Sequence, residues 1–271
     1  MLIRTSSSLA VLALATLTAA CSGAAADDVG SSEDAVVLAN TSYAFALESR
    51  VNARDRSTGA TFTEVTKVLG RVVIVSQETQ PDGSTTTTFD LHQCRVQLPK
   101  MGDFQPMIED AFVQSLPPVR YTGTIDANGV MTAGPQAAVI GATLADPLSD
   151  ALPTDASDAR IVDQDGDGKP GVTIKIDTGL LGVKDIYAAS RLRGDVTGAV
   201  APGGDGNLTG TSQLELEFSI FGDNIPLVDA AEIARELEAN KEVLSKDTRF
   251  LGVPGADSCD AAIAADPVVQ F

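Results

Sequence analysis

Residues 186–220 read IYAASRLRGDVTGAVAPGGDGNLTGTSQLELEFSI, and the spacing of their apolar side chains decides the fold class. Ile186, Ala188, Leu192, Val196 and Val200 fall on even positions, and so do Leu208, Leu214, Leu216, Phe218 and Ile220. Alternation with period two puts one side of a strand in a core and the other in water. Glu215, Glu217 and Ser219 occupy the wet side. The Gly- and Pro-rich stretch Ala201–Asn207 between the arms is a hairpin loop. Each arm runs about 15 residues against a usual strand of about 5–6. Strands that long coil into barrels or strongly curved sheets.

The same pattern continues outward. Tyr43, Phe45, Leu47 and Val51 share one face of an early strand, and Thr61 to Glu78 is rich in Val, Ile and Thr. Pro81-Asp82-Gly83-Ser84 is a turn in which Pro presets φ and Gly takes positive φ. It leads into Thr85–Leu98, where Phe89 and Leu91 are odd but Cys94, Val96 and Leu98 are even, a parity switch that predicts a bulge near His92. Asn128-Gly129 predicts a hairpin turn of the primed type. Two helices are expected. One covers Asp103 to Leu116, with Ile108, Phe112 and Leu116 four apart and Pro106 in its first turn. The other opens with a capping box at Asp229 and Glu232 and a staple from Val228 to Ile233. Its stripe is Ile233, Leu237 and Leu244, with Glu242 and Lys246 as an i,i+4 pair. Ala137 to Leu152 fits strand or helix. The expectation is a mainly β protein, a single antiparallel curved sheet or barrel-like domain over residues 39–271 with two short helices.

Ahead of that domain, Arg4 and an apolar run from Leu9 form an export signal, too short for the roughly 20 residues of a membrane span. It ends in Leu17-Thr18-Ala19-Ala20-Cys21. That ending resembles the lipobox of bacterial lipoprotein precursors, with Thr18 where Leu is commoner. The resemblance implies a signal peptide over residues 1–20, cleavage before Cys21 and diacylation of its thiol. Residues 21–38 are small, polar and acidic over most of their length and read as a flexible tether. The layout resembles uncharacterised lipoproteins of Gram-negative envelopes. Ser22 then implies the outer membrane.

The 271 residues contain 19 Lys and Arg against 37 Asp and Glu, a formal charge of −18. Loss of Arg4 with the signal makes it −19. Such a surface repels phosphate backbones, which argues against nucleic acid as a partner. It would also be repelled by anionic lipid, leaving the acyl chains on Cys21 as the membrane contact. With Cys21 lipidated, Cys94 and Cys259 remain as a pair in an oxidising compartment. Their bond would close a loop of about 165 residues, worth about 5 kcal/mol in the chain-entropy model. The alternative is two buried thiols.

Asp163-Gln164-Asp165-Gly166-Asp167-Gly168-Lys169-Pro170-Gly171 is the one motif that carries chemistry. Carboxylates at alternate positions with glycines between them let a short loop wrap a hard cation. Asp163, Asp165, Asp167 and the Lys169 carbonyl are the candidate calcium ligands. The motif resembles the first half of an EF-hand loop and the DxDGDGxPG calcium loops of secreted bacterial and thrombospondin-type proteins. It departs from the EF-hand at Ile174, where a bidentate Glu would stand, so affinity is expected near 10⁻⁴ to 10⁻³ M, about that of extracellular modules. Asp155, Asp158 or Asp177 would complete the shell.

No catalytic residue is nominated. The single histidine, His92, has no second histidine to join it, which disfavours zinc hydrolases and Ser-His-Asp chemistry. The expected function is a non-catalytic cell-envelope lipoprotein, a structural or interaction module with a calcium-stabilised loop. The alternative is a carrier for a small apolar ligand in a lipocalin-like barrel. A hydrolase using carboxylates alone is a third reading without identifiable residues.

Overall fold

The computed structural model describes residues 36–38, 40–100, 105–177, 182–200, 206–225 and 229–271. The signal, the lipobox with Cys21, most of the tether, the loop residues 201–205 and the staple residue Val228 lie outside the described residues. The elements in chain order are β1 (Ser42–Asp55), β2 (Thr61–Thr79), β3 (Thr85–Gln97), β4 (Gln105–Met107), α1 (Asp110–Ser115), β5 (Val119–Ile125), β6 (Val130–Ile140) and β7 (Val172–Asp177). They continue with β8 (Val183–Val200), β9 (Leu208–Thr211), β10 (Glu215–Asp223), α2 (Ala230–Asn240), β11 (Lys241–Pro254) and α3 (Cys259–Ala265).

The strands form one antiparallel sheet ordered β2-β1-β11-β9-β8-β6-β5-β3, and β3 pairs back onto β2. An eight-stranded barrel closes in this way. The opening half of β8 runs past it into an annex, where β7 takes one edge and β10 the other, and β4 links β7 to β3. Even-numbered Ile186, Ala188 and Val196 are buried as the alternation in β8 requires, while at its middle odd-numbered Ala189 and Arg191 are buried as well, so that stretch is covered on both faces.

The second arm of that reading is split. At its centre the Ser212 N–H donates to the Thr248 carbonyl (3.2 Å) and the Gln213 N–H to Asp195 Oδ1 (2.6 Å). Ser212 thus continues the β9–β11 register one residue past Thr211 opposite Arg249, and at Gln213 the chain leaves β11, so that β10 follows β8 alone into the annex. Leu214 remains buried but Phe218 is 40% exposed.

Side chains fill the barrel. Phe45 and Phe250 lie 5.5 Å apart between ring centres, and Phe89 stacks on Tyr121 at 5.2 Å. The Tyr121 hydroxyl donates to the Gly194 carbonyl, and burial pushes its pKa up to about 12. Voids of about 20 Å³ in the barrel and 30 Å³ beneath α1 remain, room for a water or two. An eight-stranded barrel is just wide enough for side chains to close it.

The expected bulge lies at Cys94: Leu69 pairs with Arg95 and Gly70 with Gln93, leaving Cys94 as the extra residue. It packs with Ala44, Ala256 and Ala262 outside the barrel rather than with the interior. The Cys94 and Cys259 sulfurs stand 1.99 Å apart, at disulfide distance. Cys259 opens α3, a third helix capped by Ser258, whose hydroxyl accepts the Ala261 N–H. The tail beyond it crosses β1 and β11, burying Val269 and laying the Phe271 ring 3.9 Å from the Arg50 guanidinium.

Three local expectations are corrected. The helix proposed for 103–116 is only α1, because Pro106, which has no N–H to give a helix, sits in β4 opposite Ile176. The Asn128-Gly129 turn is not of the primed type. Gly129 has φ +78° but Asn128 is not at positive φ, and Asp126 Oδ1 instead accepts the Asn128 and Val130 N–H groups. The Asp229 cap forms, accepting the Glu232 N–H at 3.0 Å, yet α2 stops at Asn240. Glu242, Leu244 and Lys246 belong to β11, where Arg54 pairs with Glu242 and Leu244 is bulged out. The capping signal marks the start of a helix; strand pairing with β1 decides its end.

Candidate metal centre

Between β6 and β7, residues 141–171 form a long loop laid over the middle of β8. Arg191 of β8, only 5% exposed, holds it. Its Nη1 donates to the carbonyls of Pro147 (3.1 Å) and Asp150 (2.5 Å), and its Nη2 to Glu217 of β10 (2.6 Å). The Ser219 hydroxyl donates to the Pro153 carbonyl. At the far end Gly171 has φ +88°, and a Cβ there would sit 2.3 Å from the Ala188 carbonyl oxygen. Only glycine lets the loop touch the strand so closely before β7 begins.

The acidic motif folds back on itself just before that contact. Asp163 Oδ1 accepts the Gly166 N–H (2.8 Å) and Oδ2 the Gly168 N–H (2.9 Å). Asp167 Oδ1 accepts the Lys169 N–H (2.8 Å). Thr173, on β7, donates its N–H to Asp165 (2.7 Å) and its hydroxyl to Asp167 (2.5 Å). The Gln164 side chain accepts the Gly141 N–H at 2.8 Å. Positive φ at Gly166 and Gly168 lets the chain turn twice within six residues.

The result brings carboxylate oxygens of Asp163, Asp165 and Asp167 within 4.8 Å of one another, all on exposed residues. It is the one such group among the described residues. This cluster could hold a metal ion. Its donors are hard oxygens, and its backbone is already turned, which fits a hard divalent cation. Lys169 follows with its ammonium 5.5 Å from the Tyr187 ring centre, as a cation–π partner.

The three further acids stand elsewhere. Asp158 is ion-paired with Arg160 at 2.7 Å, and hydrogen bonds from Arg160 hold its carboxyl down to about 2. Asp155 accepts from Ser157, which lowers its pKa below the ordinary value. Asp177 closes the opposite end of β7, paired with Gln105 and Val183. Thr173 and Gln164, which fix the loop to β7 and to Gly141, were not singled out in the sequence. Neither carries a spacing signal, because their roles depend on where the loop lands.

Among the described residues, His92 joins no ligand cluster. It lies half-buried on β3, where burial and the charge of Arg71 push its pKa down against the opposing pull of Asp90. Elsewhere, depressed carboxylates serve turns or cross-strand pairs: Asp55 accepts from Ser57 and Thr58, Asp82 from Ser84, Asp126 from Asn128 and Val130, and Asp146 from Leu148 and Ser149, while Asp90 is held down by Arg120 and Glu215 by Arg193. Comparison with known protein families, with curated proteins and with solved structures finds no match to this chain.

Proposed function

We propose that this chain is a non-catalytic lipoprotein of a bacterial envelope, exported, anchored through Cys21 in the outer membrane, and braced by calcium. The observation that carries the calcium reading is the position of the Asp163-Asp165-Asp167 cluster. It lies where the long loop enters β7 and is tied to that strand by Thr173. An ion there would join two turns of one loop to the sheet, a structural task. The acids that support turns and ion pairs are engaged in holding local backbone, which favours a scaffold over acid–base chemistry.

The carrier reading is weaker for the barrel as it stands. Voids of about 20 and 30 Å³ fall far short of the roughly 300 Å³ at which ligand pockets begin.

Thermal unfolding with and without calcium tests the reading. At about 10 mM calcium and a dissociation constant of 10⁻⁴ to 10⁻³ M, linkage stabilises the chain by about 1.4–2.7 kcal/mol. That is a rise in Tm of about 3–10 °C for a chain this size. Asp163→Asn removes the rise, and chelator reverses it. An unaltered chain whose Tm ignores calcium would rule out the brace.

A further inference from the structure

The residues just before β1 behave as part of the barrel contents. Leu38 is 5% exposed and packs in the interior cluster, and Val36 lies against the same cluster. The sequence places both in the tether, so the packed domain reaches back past residue 39. Leu38 is fastened by one side chain: its N–H donates to Gln77 Oε1 (2.8 Å), and Gln77 Nε2 donates to its carbonyl (3.1 Å). A bulge in β2 aims that glutamine. Ile74 pairs with Phe89 and Ser76 with Thr88, leaving Val75 extra and setting Gln77 opposite inward-facing Thr87.

Below Leu38 lies the void of about 20 Å³, walled by Phe45, Val72, Phe89, Met131, Val196 and Phe250 among others. The wall carries no charge, and its Tyr121 hydroxyl is already bonded to Gly194. Two polar atoms at this end have no partner among the described residues. Thr85 and Thr87 are fully buried, and they share the odd-numbered face of β3 with Phe89 and Leu91 of the interior. Buried hydroxyls left unpaired are unusual in a native core.

We propose that Val36–Leu38 is a displaceable plug, and that the barrel mouth it fills takes the short aliphatic chain of an amphiphile in its place. The segment is not a strand, so leaving the mouth breaks no ladder; among the described residues the Gln77 pair and the apolar packing hold it. The vacated space equals about the seven side-chain carbons of Val36 and Leu38, each worth burying. The orphan hydroxyls of Thr85 and Thr87 would meet the polar head. Charged or bulky ring ligands find nothing to pair with in this wall. The plug stands apart from the calcium loop and needs neither calcium nor the lipid anchor.

The test uses the full chain and two substitutions, Leu38→Asp and Gln77→Ala, with the neutral alkyl amphiphile 1-octanol as ligand and its binding read by titration calorimetry. Loss of the buried leucine is expected to raise octanol affinity by about thirtyfold in Leu38→Asp. Gln77→Ala should give a smaller rise. In the unaltered chain, the Leu38 amide should exchange with deuterium at least about a hundredfold faster than the ladder amide of Val72, by local opening. Folded variants that bind octanol no better than the unaltered chain overturn the proposal. So does a Leu38→Asp chain that cannot fold, since a plug must leave a stable barrel behind. Exchange of Leu38 only at the rate of Val72 overturns it as well.

Discussion

Reduction of the Cys94–Cys259 bond, or replacement of both cysteines by alanine, is expected to lower stability by about 5 kcal/mol. The bond spans 165 residues of sequence, nearly the whole barrel, and the entropy of an open chain grows with the length of loop released. It pins α3 against the outside of β1 and β3, where Ala44, Ala256 and Ala262 are buried together. The other contacts at that end include Val269 buried with Ala46 and Leu69, the Gly255 N–H on the Ser42 carbonyl, the Arg71 bond to the Asp257 carbonyl, the Lys67–Asp266 ion pair at 2.6 Å, the Arg249 bond to the Gln270 carbonyl and the Phe271 ring over Arg50. Exposed pairs of this kind are worth about 0–1 kcal/mol each. A domain has only about 5–15 kcal/mol in hand, so the urea midpoint of the reduced chain should collapse towards that of a barely folded protein. Protease should cut first between residues 255 and 271. A reduced chain with an unchanged midpoint would mean that the tail is held by packing alone.

Arg191→Met is expected to cost about 3 kcal/mol, because it leaves the Pro147 and Asp150 carbonyls without their charged donor. Three acceptors converge on one planar group, and the side chain is 6% exposed. Lysine cannot reach them together, so Arg191→Lys should recover little. Arg193 is the control. It bonds the Leu148 carbonyl and Glu215 but is 30% exposed, and Arg193→Met should cost under about 1 kcal/mol. Urea unfolding gives the magnitudes. Limited proteolysis between residues 141 and 162 reports whether the loop has come away from β8. Equal effects at the two arginines would refute the clamp.

The alternation in β8 was legible because a strand buried on one face must show period two, and nothing in the chain competed with it. The bulge at Cys94 was legible for the same reason, as a break in parity between Leu91 and Val96. The acidic turn was legible because its chemistry lies within nine residues. What escaped the sequence depends on distant partners. Ser212 is the last residue bonded to β11, through Thr248, and Gln213 turns to Asp195, and no local pattern foretells that. Leu244 fits the helical stripe of Leu237 as well as it fits a strand. Pairing with β1 settles the matter, since 13 residues of β11 find partners there. Arg191 carried no signal either, because an arginine at an odd position of an alternating strand reads as solvent-facing until a loop covers it.

The most direct measurement is native mass spectrometry of the chain extracted from envelope membranes in mild detergent. The expected mass is that of residues 21–271 bearing acyl groups at Cys21, two hydrogens light for Cys94–Cys259, with a calcium adduct that chelator removes. A chain that carries no lipid, does not begin at Cys21 and takes up no calcium would contradict the proposal of a calcium-braced envelope lipoprotein.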